Sequence, residues 1–176
     1  MAVFSLEALE KAAKSSNSGG RFINPSKIEG ERRIRFIGNG ISGLLGWSTD
    51  NKPVRFEMRP EEVPENIKAE PGKPSLKDFF AHIVYDFESD DFKIFEWTQQ
   101  TISDQIRKFM KDEDFGDITG YDIKISRTGE QLKTEYHVVA APPKPISKSI
   151  QDRFDNLYCN LNALYDGDDP WADPTA

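Results

Sequence analysis

The chain is poor in the residues that staple small proteins together or bind metals. It carries a single cysteine, Cys159, so no internal disulfide can form. His82 and His137 are its only histidines, and with one thiol they fall short of a structural zinc set. Long apolar runs are missing too. Val138 to Ala141 is stopped by Pro142, far short of the roughly 20 residues of a membrane-spanning helix. Near the start, Ser5 and Glu7 interrupt the apolar residues between Phe4 and Leu9, and no basic stretch precedes them, so no secretory leader is expected. These absences point to a protein of a reducing, cytoplasmic compartment without metal or cofactor.

Catalytic signatures are equally sparse. There is no phosphate-binding Walker sequence. Gly38-Asn39-Gly40 is not followed by the helix that a dinucleotide fingerprint needs. Asp114-Phe115-Gly116 matches a kinase triplet, but none of the accompanying motifs is present. Asp112, Glu113, Asp114 and Asp117 have the chemistry to hold Mg²⁺ as in a nuclease, yet they cluster where a solvated helix end would put them. The expectation is a protein that is not an enzyme.

What the chain does have is uneven charge. Its 176 residues hold 23 bases and 30 acids, a net −7. Residues 21–60 hold eight bases against four acids, residues 61–120 seven against fifteen, and residues 166–176 four acids and no base. A basic early segment on an acidic body calls for a local explanation.

The hydrophobic pattern organises the chain into an N-terminal arm and linker (1–20), a main domain (21–145), a C-terminal helix (146–165) and a disordered acidic tail (166–176). Ser15 to Gly20 reads as a flexible linker. Ile34 and Phe36 alternate with Arg33 and Arg35, and Val54, Phe56 and Met58 alternate with Arg55, Glu57 and Arg59, as on half-buried strands. Phe79–Phe87 and Phe92–Thr98 read as two more strands. Gln99–Lys111 has helical spacing, and residues 121–138 form the clearest hairpin. Residues 60–75, with four prolines, make a long surface loop. The fold class expected is mainly β with flanking helices, an OB-fold-like small, partly open barrel.

Three constellations carry chemistry. Lys27, Arg32, Arg33, Arg35, Arg55 and Arg59 accompany Trp47 and Phe56. Single-stranded nucleic acid needs cations for its phosphates and rings for its unstacked bases. Alternatively, the arginines are a solvated face and the two rings are core. A second set, Phe79 to Trp97, contains more rings than one core face requires, and Tyr85, with its hydroxyl, suits a partly wet site. The residues expected to bind DNA are Arg33, Arg35, Trp47, Arg55, Arg59, Tyr85 and Lys124. In the tail, Asp168, Asp169 and Asp173 surround Trp171, an apolar anchor suited to a partner's basic pocket or to the protein's own groove.

Gly43-Leu44-Leu45-Gly46-Trp47, Lys52-Pro53-Val54-Arg55, Ile94-Phe95-Glu96-Trp97-Thr98-Gln99, and Asp114-Phe115-Gly116-Asp117 followed by Tyr121 to Arg127 occur in this order. In that order, and with the acidic aromatic terminus, the chain resembles the single-stranded DNA-binding proteins of tailed bacteriophages. The resemblance implies an OB fold that binds single strands without sequence preference during replication, recombination or repair. It also implies a tail that recruits replication or recombination proteins. Self-association, if present, is expected to use the N-terminal arm, on its flexible linker, or the apolar stripe of the last helix. The zinc module of some relatives lacks its ligands here. From another class, the alternative is a protein-interaction adaptor using the last helix and tail.

Overall fold

The computed structural model describes residues 18–175; the arm expected over 1–20 lies almost wholly outside them. Seven strands form one strongly curled sheet: β1 (Phe22–Ile23), β2 (Glu31–Trp47), β3 (Pro53–Phe56), β4 (Lys77–Asp86), β5 (Asp91–Trp97), β6 (Asp122–Thr128) and β7 (Glu135–Ala140). Their spatial order is β1-β5-β4-β2-β6-β7, with β3 added to β2. The architecture is mainly β, a half-closed barrel compatible with the OB class, as the alternation of apolar residues implies.

The 17-residue β2 is the spine. Its first half pairs with β6 and β4, and its second half pairs with β4 and β3. The register shifts between Phe36 and Gly40, where Gly38 adopts φ +69° and lies under the Phe154 ring. Only glycine takes that backbone without strain and leaves room for the ring. The shift lets a single strand serve both halves of the barrel wall.

Alternation along the strands gives the sheet two apolar faces. Ile34, Phe36, Val84, Phe95, Ile123 and Ile125 fill the inside, closed by Ile102 and Ile106 of α1 (Gln100–Lys111). Ile37, Ala81, Ile83, Tyr85, Phe92 and Ile94 lie on the outside. That outer face is covered by Ile150 and Phe154 of α2 (Lys148–Asp155) and by Leu157, Leu161 and Leu164.

The single C-terminal helix expected over 146–165 is instead α2 and a separate 3₁₀ turn, Leu161–Asp166, joined by irregular chain. The apolar residues between 150 and 164 follow the outline of the sheet rather than one helical stripe. Gly167 ends the turn in a left-handed conformation.

The tail departs from expectation as well. Residues 166–171 fold back instead of remaining unpacked: Asn160 N–H donates to the Pro170 carbonyl at 2.7 Å, and Pro170 is buried. Trp171 packs at the margin of the outer core, with the Arg21 guanidinium 3.9 Å from its ring centroid. A polar tail finds these partners only on a finished surface, which its own composition does not reveal.

The outer edge of β7 is closed by one side chain. Gln105 of α1 donates from Nε2 to the Tyr136 carbonyl and accepts the Val138 N–H at Oε1, both at 2.9 Å. An open strand edge is a template for another chain. Gln105→Ala is expected to cost about 1–3 kcal/mol, since two partly buried backbone groups lose their partners, and to promote association. Urea denaturation and light scattering check this; unchanged curves in both would show the edge is protected by other means.

Candidate nucleic-acid interface

A groove of about 710 Å³ opens where β1, the end of β2, β3, β5 and the start of α1 meet. Its walls carry Lys27, Arg32, Arg55 and Lys93 against one acid, Glu96, and the aromatic rings Trp47, Trp97 and Phe22. A neighbouring cavity of about 330 Å³ shares Leu45, Trp47 and Thr98 with it and adds Lys68, Lys73 and Lys77 against Glu70. Trp47 therefore stands between two cation-lined spaces, and its side chain is 50% exposed.

The local fold explains this placement. Pairing of Trp47 with Pro53 and of Leu45 with Arg55 sets β3 beside the end of β2. The loop after β3 is pinned from the other side, with Lys68 N–H donating to the Trp47 carbonyl and Thr49 N–H to the Asn66 carbonyl, both at 2.8 Å. Ile67 and Leu76 bury themselves on Leu44. A Cβ on Gly46 would lie 2.7 Å from Leu76 and 3.0 Å from Ile67, so only glycine lets the loop approach this closely. The Trp47 backbone is thus fixed on both sides while its ring stays free. Trp97 is held more firmly: its indole N–H donates to Ser103 Oγ at 2.9 Å, and its ring stacks on Phe95 and Phe80.

The cations differ in how far they are already satisfied. Arg55 forms a two-pronged pair with Glu96, at 2.6 and 2.9 Å. Arg32 binds the buried Asp86 in the same manner, at 3.1 and 2.6 Å, and Lys93 lies 3.3 Å from that carboxylate. Burial opposes ionisation of Asp86, but hydrogen bonds from Arg32 and Ser89, with the charges of Arg32 and Lys93, outweigh it and hold the carboxyl below its usual range. Burial likewise works against the Arg32 charge, yet Asp86 and Glu88 raise its pKa overall. Among the described residues, Lys27, Lys68 and Lys77 have no acid within ion-pair distance.

Of the residues expected to bind DNA, Trp47 and Arg55 line this groove. Arg59 sits in a separate cleft of about 300 Å³ with Glu57 and Asp78. Arg33 and Lys124 face each other across β2 and β6, and Arg33 pairs with Asp122 and stacks over Phe87 at 5.0 Å.

Two expectations need correction. Arg35 is 3% exposed and its guanidinium is consumed by the Asp122 carboxylate and the carbonyls of Thr119 and Lys144. Tyr85 is also buried, on the outer core face, and its hydroxyl bonds Asp90. Burial pushes the Tyr85 pKa up, aided by Asp90. Arg55 pairs with Leu45, ten positions along β2 from Arg35 and beyond the register shift.

Sequence reasoning missed Lys68, Lys73, Lys77 and Lys93, which lie in a net-acidic stretch. For Lys68 and Lys73 the signal was the proline-rich loop over 60–75, whose lysines were not singled out; Lys77 and Lys93 lie on β4 and β5, outside it. Cys159 is a packing residue: burial pushes its thiol up to about 11, away from the thiolate form a nucleophile needs. Among the described residues no three His, Cys, Asp or Glu side chains are grouped to hold a metal ion. No described helix is long and apolar enough to cross a membrane.

No protein-family model matches the chain, and comparison with curated proteins and with solved structures returns no match. Its function is therefore argued from the geometry above.

Proposed function

We propose that the chain is a sequence-tolerant single-stranded DNA-binding protein acting in phage DNA replication, recombination or repair, with the Trp47 groove as its binding surface. The observation that carries this reading is a half-exposed tryptophan held between two spaces lined by seven cations and two acids. Unstacked bases need an aromatic platform, and the phosphates on either side of a stacked base need positive charge. Net −7 is no obstacle when the cations are gathered locally.

The acidic tail, through Asp168, Asp169, Trp171 and Asp173, recruits replication or recombination proteins in this reading. Trp171 docks on Arg21, a chain neighbour of the groove residues Gly20 and Phe22, which supports a tail that competes with DNA for the groove.

The test is a fluorescence titration with oligo-dT, an RNA and a duplex of equal length. The expected result is preference for single strands over duplex, little dependence on base, and affinity that falls as salt rises because bound phosphates release counterions. Equal affinity for duplex and single strand, or affinity indifferent to salt, would falsify the reading.

A further inference from the structure

The 330 Å³ cavity beyond Trp47 is lined by lysines alone among the cations. Its three lysines face one resident anion. Lys73 Nζ lies 2.9 Å from the Glu70 carboxylate. The hydrogen bond and charge of Lys73, together with the more distant charges of Lys77 and Lys68, hold the Glu70 carboxyl below its usual range. Glu70 thus occupies a point where three ammonium fields converge.

The lysines do not hang on a loose segment. Lys77 opens β4 opposite Leu45. Lys68 follows the buried Ile67, and its backbone N–H bonds the Trp47 carbonyl. Lys73 N–H closes a turn on the Glu70 carbonyl at 3.1 Å. All three lysines are exposed, with Lys68 Nζ donating to Asn51 Oδ1 and Lys73 Nζ paired with Glu70, so an incoming anion meets them at little desolvation cost.

We infer that Lys68, Lys73 and Lys77 form a phosphodiester subsite that takes over the strand after its base has passed Trp47, with Glu70 as the internal anion that the phosphate displaces. The inference rests on the groove reading and extends it. The two cavities become one track, and the loop between β3 and β4 becomes a clamp for its second half. Glu70 sets a threshold: a single phosphate must compete with a carboxylate already in place, whereas a strand anchored at Trp47 presents its next phosphate at high local concentration.

The test uses the full chain with (dT)12 over a range of salt concentrations. The triple variant Lys68→Gln, Lys73→Gln, Lys77→Gln is expected to bind about tenfold or more weakly at low salt. It should lower the slope of log affinity against log salt by about two, from roughly 0.7 per lost phosphate contact on a single strand. Quenching of tryptophan fluorescence at saturation should persist, because Trp47 still stacks. Glu70→Gln is expected to raise affinity several-fold, since it removes the competitor and leaves the lysines. All four positions are exposed, so thermal melting should match the unsubstituted protein. Wild-type affinity and slope in the triple variant, or weaker binding by Glu70→Gln, would overturn the subsite while leaving the Trp47 groove standing. An unsubstituted protein that fails to bind (dT)12 at any salt concentration would instead remove the groove reading, and the subsite with it.

Discussion

Asp122→Ala is expected to destabilise the protein by about 3–5 kcal/mol, the cost of leaving a buried charge without its partner. Asp122 is 1% exposed and holds the guanidinium groups of Arg33 and Arg35, the latter at 3.1 Å, with Lys144 at 3.8 Å. Arg35 has no route to water, because its remaining donors are committed to the Thr119 and Lys144 carbonyls at 2.8 and 2.7 Å. Against a typical domain stability of about 5–15 kcal/mol, this one loss brings the fold close to its limit. The reverse change is expected to be milder. Arg35→Ala leaves Asp122 with Arg33 and Lys144 still beside it, so the acid is not orphaned. Urea denaturation of both variants checks the asymmetry. An Asp122→Ala protein as stable as the parent, or a more damaging Arg35→Ala, would contradict this account of the pair.

Trp47→Ala is expected to weaken single-strand binding by about 1–3 kcal/mol, the worth of one stacked base. This corresponds to roughly 5- to 150-fold in affinity. The change should leave the fold intact. Half of the side chain is in water, and its backbone bonds to the loop after β3 do not involve the indole. Circular dichroism and thermal melting, run beside the titration, separate the two possible roles. Lost affinity with an unchanged melt supports stacking. A lowered melting temperature with unchanged affinity per folded molecule would place Trp47 among the residues that support the groove.

The parts of the fold that follow a local period were open to reading. The alternation of Tyr121, Ile123 and Ile125 against Leu132 to Val138 predicts a hairpin, and β6 and β7 pair from Ile123–Ala140 to Thr128–Glu135. Ile102, Ile106 and Phe109 predict α1. What stayed hidden depends on partners distant in sequence. Nothing local to Arg35 announces Asp122, 87 positions away, so a buried ion-pair residue read as a surface cation. Tyr85 misled for a similar reason: its hydroxyl is satisfied by Asp90 and its ring is covered by the C-terminal segment. At the candidate site, Trp47 was legible as a large ring within the basic segment 21–60. The convergence of Lys68, Lys73 and Lys77 was not, since it is created by the way the loop folds back onto Leu44 and Trp47.

Covering the outer sheet face with residues 150–171 has a consequence for the newborn chain. The barrel strands are all made once Ala140 has been added, but Trp171 comes 31 residues later. At synthesis rates of about 5–20 residues per second, that interval lasts roughly 2–6 s. During it, Ala81, Ile83, Tyr85, Phe92 and Ile94 have no cover of their own. The segment that covers the outer face is thus made after the strands it covers, and until it docks the sheet presents a bare apolar surface. Chaperone demand should accordingly fall on the interval between the making of β7 and the docking of residues 150–171.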